Sequence, residues 1–512
     1  MDPIVFLIVL CIFYSILFFF DRFFKSCLHY PYEAFLRNTG FSVELMRLKW
    51  HTTAFNRSIL RLGNSCCRLW LIKSFNVGVM AALSLLPIGI ILLFIAIFNS
   101  TDNTSSTKFL EGSGIFESIK IQILLPGINL PLEEIGYYII TLLIATTVHE
   151  LGHALAAILE DVPVTGFGFH FYFCLPLAYT EISAEHLNAL RWFRKLRILC
   201  AGIWHNFLFT GTCYLLFSSL GFVVAPFYNL NKNIVVTEVL AQSPLKTKND
   251  KGLYERNIIT HINNCKVIDY DTWLQCLFKT LQSRPGYCVS SDFIRNNDES
   301  MEISHHGSDG NFQCCDERNK KLCCFEYIDD FSNDGPVEIP QHVCLDVRRT
   351  LEDAYDYCTL RGTCNIGFCL KPLLRNITTI LSFKRKTIDH KNLKDVIYMG
   401  HPIDVFRTVR ISPFVPKHTF VTPEWADAYV LFLKYNIVFN LGLSLISSIP
   451  CFGFDGHHIA NTIVHTFLIT RLTEKRKRDI VSLIVSGIGT LLLVLAVLKV
   501  LWLSLIKYLL WT

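Results

Sequence analysis

Charged residues are scarce in this 512-residue chain, at 18% of the total, whereas hydrophobic residues make up 51%. An ordinary soluble domain has about 25% charged residues. The mean hydropathy of +0.36 also excludes an intrinsically disordered chain. Glycine and charged residues are too few for a collagen-like or coiled-coil protein. The net charge of +5 is too balanced to indicate a nucleic-acid partner, and we expect none. The composition therefore predicts a multi-pass membrane protein.

Six hydrophobic segments are candidates to cross a bilayer, which takes about 20 apolar residues. They are Ile4–Phe20, Phe75–Phe98, Ile135–Ile158, Ile198–Phe227, Ala428–Ile449 and Ile480–Leu510. The first segment contains no charge and is followed by no small-residue cleavage site, which favours a retained anchor over a signal peptide. The last segment is long enough for a tilted helix or a tight hairpin.

A polar block of residues 228–425 separates the fourth and fifth segments and contains no candidate span. Eleven of the 19 cysteines lie in it: Cys265, Cys276, Cys288, Cys314, Cys315, Cys323, Cys324, Cys344, Cys358, Cys364 and Cys369. Cysteines clustered in a hydrophilic domain predict disulfides and an oxidising compartment. The adjacent Cys-Cys pairs lack the two-residue spacer of a zinc ribbon, so metal binding is the weaker interpretation. Because eleven is odd, one thiol is free or pairs elsewhere.

The orientation of the chain follows from sequons and charges. Three N-glycosylation sequons lie where the cysteines place the lumen, at Asn99, Asn103 and Asn376. The loop 21–73 carries nine Lys and Arg against three acidic residues, and Arg471–Arg478 is also basic. Both basic loops are typical of the cytosolic side. A fourth sequon, at Asn56, would then be unused.

The third hydrophobic segment contains His149-Glu150-Leu151-Gly152-His153, an HExxH pattern. Positions i and i+4 share one face of a helix, so both imidazoles can reach one zinc ion. Glu150 is placed to accept a proton from water that the metal activates. Polar residues inside a membrane helix are costly and are functional by default. The alternative is a hydrogen-bonded polar cluster between helices.

A zinc site of this kind needs a third protein ligand. Glu160 is on the same helix but about 10 Å further along it, which is too far. Glu181 and Glu185 follow on the next segment, where a gluzincin protease carries its glutamate. Asp455 follows Pro450, which breaks the fifth segment, and a break at membrane depth must line a cavity or be covered by protein. Asp455 is therefore the best candidate.

Other polar residues near these segments admit two interpretations. Asn206 either hydrogen-bonds the substrate strand or the oxyanion, or links two helices by a hydrogen bond. His205 is interpreted as structural. His457 and His458 are possible ligands, but a solvated pair at a helix end is the better explanation. The aromatic and glycine-rich segment Thr165–Phe173 is either a membrane-interface loop or a strand near the metal that pairs with an unwound substrate.

Together these motifs resemble the site-2 protease family of intramembrane zinc metalloproteases. The resemblance rests on the HELGH helix, the Asp-Gly pair after a Pro-broken span, Cys200–Asn206, Pro126–Pro131 and the cysteine-rich insert. It implies that His149, His153 and Asp455 bind one Zn²⁺ per chain and that Glu150 is the general base. The family's second motif usually has Asn and Leu where this chain has Ser447 and Phe454. A role of that Asn in binding substrate is therefore not expected here.

Part of the luminal block resembles the PDZ domains of such proteases. The segments Val235–Pro244 and Gly252–Asn264 carry the resemblance, and Val396–Ser412 alternates like a returning strand of the same domain. The cysteine-rich region would then be an insertion within it. The predicted fold class is an α-helical multi-pass membrane protein with an inserted luminal α/β PDZ-like, cysteine-rich domain. The predicted domains are 1–134 (N-terminal helices), 135–227 (catalytic core), 228–426 (luminal domain) and 427–512 (C-terminal core).

The resemblance implies an intramembrane endopeptidase of the Golgi and endoplasmic reticulum. Its implied substrates are single transmembrane helices of membrane-anchored transcription factors, such as sterol regulatory element-binding proteins, first cut on the luminal side by a site-1 protease. Two alternatives remain open at this point. One is a membrane-embedded gluzincin that uses Glu181 or Glu185. The other is a non-catalytic PDZ-like binding module on a membrane anchor.

Overall fold

The computed structural model describes residues 3–511 except 64–67, 99–133, 173–174, 231, 247–251, 283–284, 302–304, 307–311, 317–320, 329–341, 359–363, 375–377, 389–390 and 392. The sequons at Asn99, Asn103 and Asn376 and the stretch Pro126–Pro131 lie outside the described residues. The chain separates into two compact units, Met1–Ser218 with Leu431–Thr512, and Ser219–Val430.

The first unit begins with helices and a small sheet. Its elements are α1 Pro3–Ser26, α2 Tyr30–Thr39, β1 Phe41–Glu44, β2 Arg47–Thr52, α3 Asn56–Gly63, α4 Arg68–Phe98, α5 Ile135–Leu159, β3 Val164–Tyr172, β4 Leu175–Ile182, α6 Ala184–Ala189, α7 Trp192–Leu199 and α8 Ala201–Ser218. The four strands form an antiparallel sheet in the order β1-β2-β3-β4. The segment Thr165–Phe173 therefore contributes to a strand of this sheet.

The second unit contains most of the strands. Its elements are α9 Leu220–Val224, β5 Tyr228–Asn229, β6 Ile234–Val239, β7 Ile258–Ile262, β8 Cys265–Lys266, α10 Tyr270–Gln282, β9 Gly286–Val289, α11 Ser291–Asn297, β10 His305–His306, β11 Phe312–Gln313, β12 Leu322–Tyr327, β13 His342–Asp346, α12 Val347–Asp353, β14 Asp356–Cys358, β15 Phe368–Pro372, β16 Thr379–Lys386, β17 Val396–Gly400, α13 Pro402–Thr408, β18 Val409–Ser412 and β19 Val415–Pro416.

The chain then returns to the first unit through α14 Pro423–Ser448, and it ends with α15 Asp455–Phe467 and α16 Lys475–Trp511. Among the described residues, α4, α5, α14 and α16 are long and apolar enough to cross a membrane. The pair α7 and α8 would make a fifth span if it is counted as one. These helices indicate a membrane protein. Of the two forms expected for the last segment, the single helix is observed.

The fourth predicted segment, Ile198–Phe227, begins at a bend, because α7 and α8 meet there at an angle of 44°. The break coincides with a carbonyl that also contacts another helix. The carbonyl of Ile198 lies 2.8 Å from Nδ1 of His153 on α5. In a continuous helix this carbonyl would accept from the N–H of Gly202. The tertiary contact thus competes with the helical hydrogen bond at the bend.

Close helix contacts in the first unit depend on glycines. A Cβ atom on Gly152 of α5 would lie 2.6 Å from the carbonyl oxygen of Ala201 on α8. A Cβ atom on Gly78 of α4 would lie 2.6 Å from the Trp204 ring. Small residues allow such close approach between helices in a membrane, where packing rather than the hydrophobic effect favours association. The HExxH helix is therefore held tightly against α8.

The second unit contains two larger sheets. One has the order β17-β16-β7-β6-β18, with β8 paired to β7, and the other has the order β13-β12-β15-β9-β14. The first sheet is formed by segments on both sides of the cysteine-rich region, so that region is an insertion between α10 and β16. Val396–Ser412 supplies both edges of the first sheet, through β17 and β18. Its likeness to a PDZ domain stays a prediction.

The prediction of disulfides in the polar block is confirmed. The pairs are Cys265–Cys276, Cys288–Cys364, Cys314–Cys324, Cys315–Cys344 and Cys358–Cys369. The odd cysteine is Cys323, which is buried and free. Burial raises the pKa of the Cys323 thiol to about 12, so it stays protonated and unreactive at neutral pH.

Candidate metal centre

Three side chains from distant parts of the sequence converge in the first unit. Nε2 of His149 lies 2.8 Å from Oδ2 of Asp455, and Nε2 of His153 lies 3.2 Å from the same oxygen. The two Nε2 atoms are 3.2 Å apart. For a tetrahedral ion with ligand bonds of about 2.0–2.1 Å, ligand atoms lie about 3.3–3.4 Å from one another. The three distances approach that value, and the group could hold a metal ion.

The hydrogen bonds around His153 favour a cation at this point. Its Nδ1 faces the carbonyl of Ile198, which can only accept, so Nδ1 carries a proton. In the neutral imidazole, Nε2 then presents a lone pair toward the carboxylate of Asp455 and the ring of His149. Converging lone pairs repel each other unless a metal ion or a shared proton lies among them. The donor set of two imidazoles and a carboxylate is one that zinc prefers.

Asn206 on α8 lies beside the other imidazole. Its side chain is fully buried, and its amide nitrogen is 3.3 Å from Nδ1 of His149. The amide oxygen finds no hydrogen-bond partner among the described residues. The two amide atoms are assigned from the hydrogen-bond network. If Nε2 of His149 binds a metal, Nδ1 bears the proton, and the rotated amide of Asn206 accepts from it. That arrangement would fix the ring as outer-shell partners of metal-binding histidines do.

The loop before Asp455 places its carboxylate at the start of a helix. α14 ends at Ser448, and Pro450 cannot donate a further helical hydrogen bond. Gly453 has φ of +88°, a left-handed conformation that a glycine adopts without strain. A Cβ atom on Gly456 would lie 2.1 Å from the carbonyl oxygen of Ile449, so the turn requires a glycine there too. The break predicted at Pro450 is therefore a tight turn that returns the chain to the histidines.

Glu150 is half-buried on the turn of α5 that carries His149. Its backbone carbonyl accepts a hydrogen bond of 3.2 Å from Oγ1 of Thr180 on β4. This contact links the HExxH helix directly to the strand at the edge of the small sheet. Among the described residues β4 pairs with β3 alone.

The other acidic candidates do not join the histidines. Glu160 is buried and forms ion pairs with Arg197 and with Arg194, whose Nε lies 3.5 Å from its carboxylate. Glu181 faces Lys49 at 3.6 Å and His51 at 3.9 Å. Glu185 lies exposed on α6. Within the described part of the chain, the metal-binding group that includes the histidines contains Asp455 and none of these glutamates.

The remaining histidines have separate contacts. Nδ1 of His205 lies 3.1 Å from the carbonyl of Ala201, and its ring packs on Phe75. His457 is only half-exposed, because its Nδ1 lies 2.7 Å from the hydroxyl of Ser486. His458 is exposed, as expected for a helix end. Only His457 therefore differs from the solvated pair that the sequence suggested.

Two groups that contact the site, the carbonyl of Ile198 and Gly202, were not predicted from the sequence. The carbonyl of Ile198 is a backbone group and leaves no signal in the residue types. Gly202 is a weak signal, because a glycine is visible in the sequence. A Cβ atom there would lie 2.5 Å from Nε2 of His153 and 2.6 Å from Nε2 of His149. A glycine four residues before Asn206 on the same helix face would have indicated the close approach.

The helix-borne histidines and the distant aspartate define a class of membrane metalloproteases. A family profile described as Peptidase family M50 matches residues 137–495. The chain is also similar to a membrane-bound transcription factor site-2 protease homolog of Arabidopsis thaliana, at 23% identity over 499 residues, which cover 88% of this chain and 91% of that protein. The chain therefore belongs to peptidase family M50, the site-2 protease family.

Proposed function

We propose that this protein is an intramembrane zinc endopeptidase that cuts the transmembrane helix of membrane-anchored transcription factors. The observation that carries the proposal is the convergence of His149, His153 and Asp455 within 3.2 Å in a unit with membrane-spanning helices. These three residues would hold the zinc ion. A bound zinc ion supplies a Lewis acid that polarises the scissile carbonyl and acidifies water.

The residues of the chain supply the other parts of the reaction. Glu150 takes the proton from the attacking water and passes it to the leaving amine. The carbonyl of Ile198 and the amide of Asn206 keep the two imidazoles oriented. This role for Asn206 rests on contacts, whereas an oxyanion role has no contact of its own in the structure.

Substrate binding is proposed to occur by strand addition at β4. A helical substrate has its carbonyls bonded within the helix and must unwind before it is cut. Its freed backbone then needs new partners, because unpaired polar groups are costly in a membrane. β4 is the strand nearest Glu150 that has an edge without a strand partner among the described residues. Pairing there would bring an extended substrate beside the base.

The substrates proposed from the family are sterol regulatory element-binding proteins and similar factors, after a first luminal cut by a site-1 protease. The proposed location is the Golgi and endoplasmic reticulum, with the cysteine-rich unit in the lumen and Arg471–Arg478 in the cytosol. The disulfides of the second unit support an oxidising compartment. The name of the Arabidopsis relative, a membrane-bound transcription factor site-2 protease homolog, supports a transcription factor as the substrate class.

A release assay tests the proposal. Cells that lack the endogenous activity receive this chain together with a membrane-anchored sterol regulatory element-binding protein already truncated on its luminal side. We expect wild type to release the cytosolic fragment, and Glu150→Gln to reduce release by about 100-fold or more, the usual contribution of a general base. Glu185→Gln is the matched control, since Glu185 is exposed and distant from the metal-binding group.

The other two results of the release assay separate the remaining hypotheses. Equal release by wild type and Glu150→Gln would remove catalysis from this motif and favour the binding module. Release by neither would exclude this substrate class. Zinc analysis of the purified variants addresses the gluzincin alternative, which predicts that Glu181→Gln loses the metal and that Asp455→Asn keeps it. We expect the reverse.

A further inference from the structure

One face of α14 carries polar side chains that the protein encloses completely. Asn436, Asn440 and Ser444 have no exposed surface, and Ser447 and Ser448 continue the same stripe. The spacing of four residues places Asn436, Asn440 and Ser444 above one another on the helix. α14 is a candidate membrane span, where buried amides are rare and tend to mark a functional path.

The orientation of both carboxamides is fixed by chemistry. Nδ2 of Asn436 donates to the carbonyl of Phe432 at 2.9 Å, and Nδ2 of Asn440 donates to the carbonyl of Asn436 at 2.8 Å. A backbone carbonyl only accepts, so the nitrogen and oxygen of each amide cannot be exchanged. The two Oδ1 atoms then remain, and neither has a donor within the described part of the chain. Two enclosed acceptors without donors are an exception that requires an explanation.

The position of these oxygens relates them to the metal centre. The hydroxyl of Tyr435 lies 3.2 Å from that of Tyr138 on α5, and Ser444 donates to the carbonyl of Ile203 on α8 at 3.2 Å. The stripe therefore contacts α8 through Ser444, and Tyr435, beside Asn436 in the sequence, contacts α5. Measured from Tyr138, His149 is about 16 Å further along α5. Measured from Tyr435, which contacts Tyr138, Asn436 and Asn440 are about 2 and 8 Å further along α14. They lie about 9 to 15 Å before the histidines, measured along the helices.

The distance between the two Oδ1 atoms indicates which kind of ligand they fit. Four residues of an α-helix rise about 6 Å. In an extended chain, N–H groups on one side recur every second residue, at about 6.4–6.8 Å. A helical substrate cannot supply them, since its N–H groups are bonded internally. The donors that match are the backbone N–H groups of alternate residues in an extended peptide.

We propose that Asn436 and Asn440 form a binding site for the backbone of the unwound substrate. Their Oδ1 atoms accept from two N–H groups, two residues apart, at about three to five residues from the scissile bond. The inference rests on the proposed proteolytic function and names a subsite within it. Opening of the helix contacts admits the substrate, whose N–H groups then satisfy acceptors that the closed protein leaves without donors.

An ester scan of a substrate tests the site without changing the enzyme. The substrates are synthetic single-span peptides with the transmembrane sequence of a sterol regulatory element-binding protein, each with one amide replaced by an ester that lacks the N–H. The purified full-length enzyme cleaves them in detergent. We expect kcat/KM to fall about 5- to 10-fold at two positions two residues apart, as for the loss of one hydrogen bond, and to stay near wild type at the position between them.

Two variants then assign the penalties. In Asn440→Leu, the ester at one of the two positions should no longer lower kcat/KM, and in Asn436→Leu the ester at the other position should no longer do so. The reason is that each variant already lacks the amide oxygen that accepts from that N–H. Zinc content and thermal stability should stay at or above the wild-type values, since the leucines remove unsatisfied acceptors. Thr212→Val on α8 is the matched control, because its exposed hydroxyl also bonds to the carbonyl four residues earlier, that of Leu208.

The results that would overturn the proposal are distinct. Ester penalties that persist in both leucine variants, or no penalty at any pair of alternate positions, would remove the substrate contact. Lower thermal stability and zinc content in both variants would show that the amides bind water or join helices instead. If wild type holds zinc but cleaves none of the peptides, the proposed function itself fails, and the inference fails with it.

Discussion

Gly202 on α8 lies directly against both histidines. A Cβ atom at this position would lie 2.5 and 2.6 Å from their Nε2 atoms, closer than real Cβ contacts come. The atoms concerned are the ones that would bind the metal, and the rings cannot retreat freely. His153 is held by the carbonyl of Ile198, and His149 lies against Asn206. A methyl group here would therefore disturb the metal centre directly.

We expect Gly202→Ala to lower zinc affinity about 10- to 100-fold, the range seen when groups around a metal centre are changed. Zinc content and chelator competition of the purified protein measure the effect, independently of activity. Gly211→Ala is the control on the same helix, since nothing lies within 4 Å of a Cβ atom there. Full zinc content in Gly202→Ala would show that the histidines can move aside and would argue against the proposed ligand geometry.

The convergence of His149, His153 and Asp455 is easier to predict from the sequence than the contacts around these residues. The four-residue spacing of His149 and His153 and the Pro-broken helix before Asp455 are local patterns, so they are visible without a structure. The partners of the two imidazoles are a backbone carbonyl and a side chain more than 40 residues away. Neither contact leaves a local pattern, and only the packing of α5 against α8 creates it.

At the scale of elements, the direction of the free hydrogen-bonding groups on β4 follows from one proline. Pro176 lies opposite Phe171 in the register of β3 and β4. A proline has no N–H, so this pair is one of the non-hydrogen-bonded pairs of the antiparallel ladder. Pairs alternate along the ladder, so Ala178, opposite Phe169, is of the same kind. The N–H and carbonyl of Ala178 therefore point away from β3, toward the edge where we propose that substrate binds.

We expect Ala178→Pro to keep the sheet but to lower cleavage about 5- to 10-fold, because it removes one outward donor from the edge. Ala178→Ser keeps the N–H and should cleave like wild type. Zinc content reports whether the fold is intact in both variants. Cleavage by Ala178→Pro at the wild-type rate, with zinc retained, would exclude pairing of the substrate at this part of β4.

The break between α7 and α8 shows what periodicity cannot predict. The segment Ile198–Phe227 is predominantly apolar, and its composition gives no sign of a bend near its first residues. The bend arises where a carbonyl of that segment bonds to His153 on another helix. A similar limit applied to Thr165–Phe173, whose alternating aromatics and glycines admitted both a loop and a strand. In the structure β3 is a strand because it pairs with β2 and β4, and both of these strands lie outside the segment.

At the scale of the whole molecule, two chemical signals support the proposed sides of the membrane. The five disulfides of the second unit are typical of an oxidising compartment, and this unit spans the sequon at Asn376. The basic loop 21–73 of the first unit is typical of the cytosolic side and contains the sequon at Asn56. The amide nitrogen of Asn56 donates to the carbonyls of Val164 and Thr165, at 3.3 and 3.2 Å. That nitrogen is the atom that a glycan would need.

We therefore expect Asn376→Gln to remove one N-linked glycan from the protein expressed in animal cells, and Asn56→Gln to remove none. Glycosidase treatment and electrophoretic mobility measure both. The two variants are chemically matched, because each makes the same substitution in a sequon. A shift for Asn56→Gln would place the basic loop in the lumen and reverse the orientation proposed for the first unit. A shift for Asn376→Gln alone would support the proposed luminal side for the disulfide-rich unit.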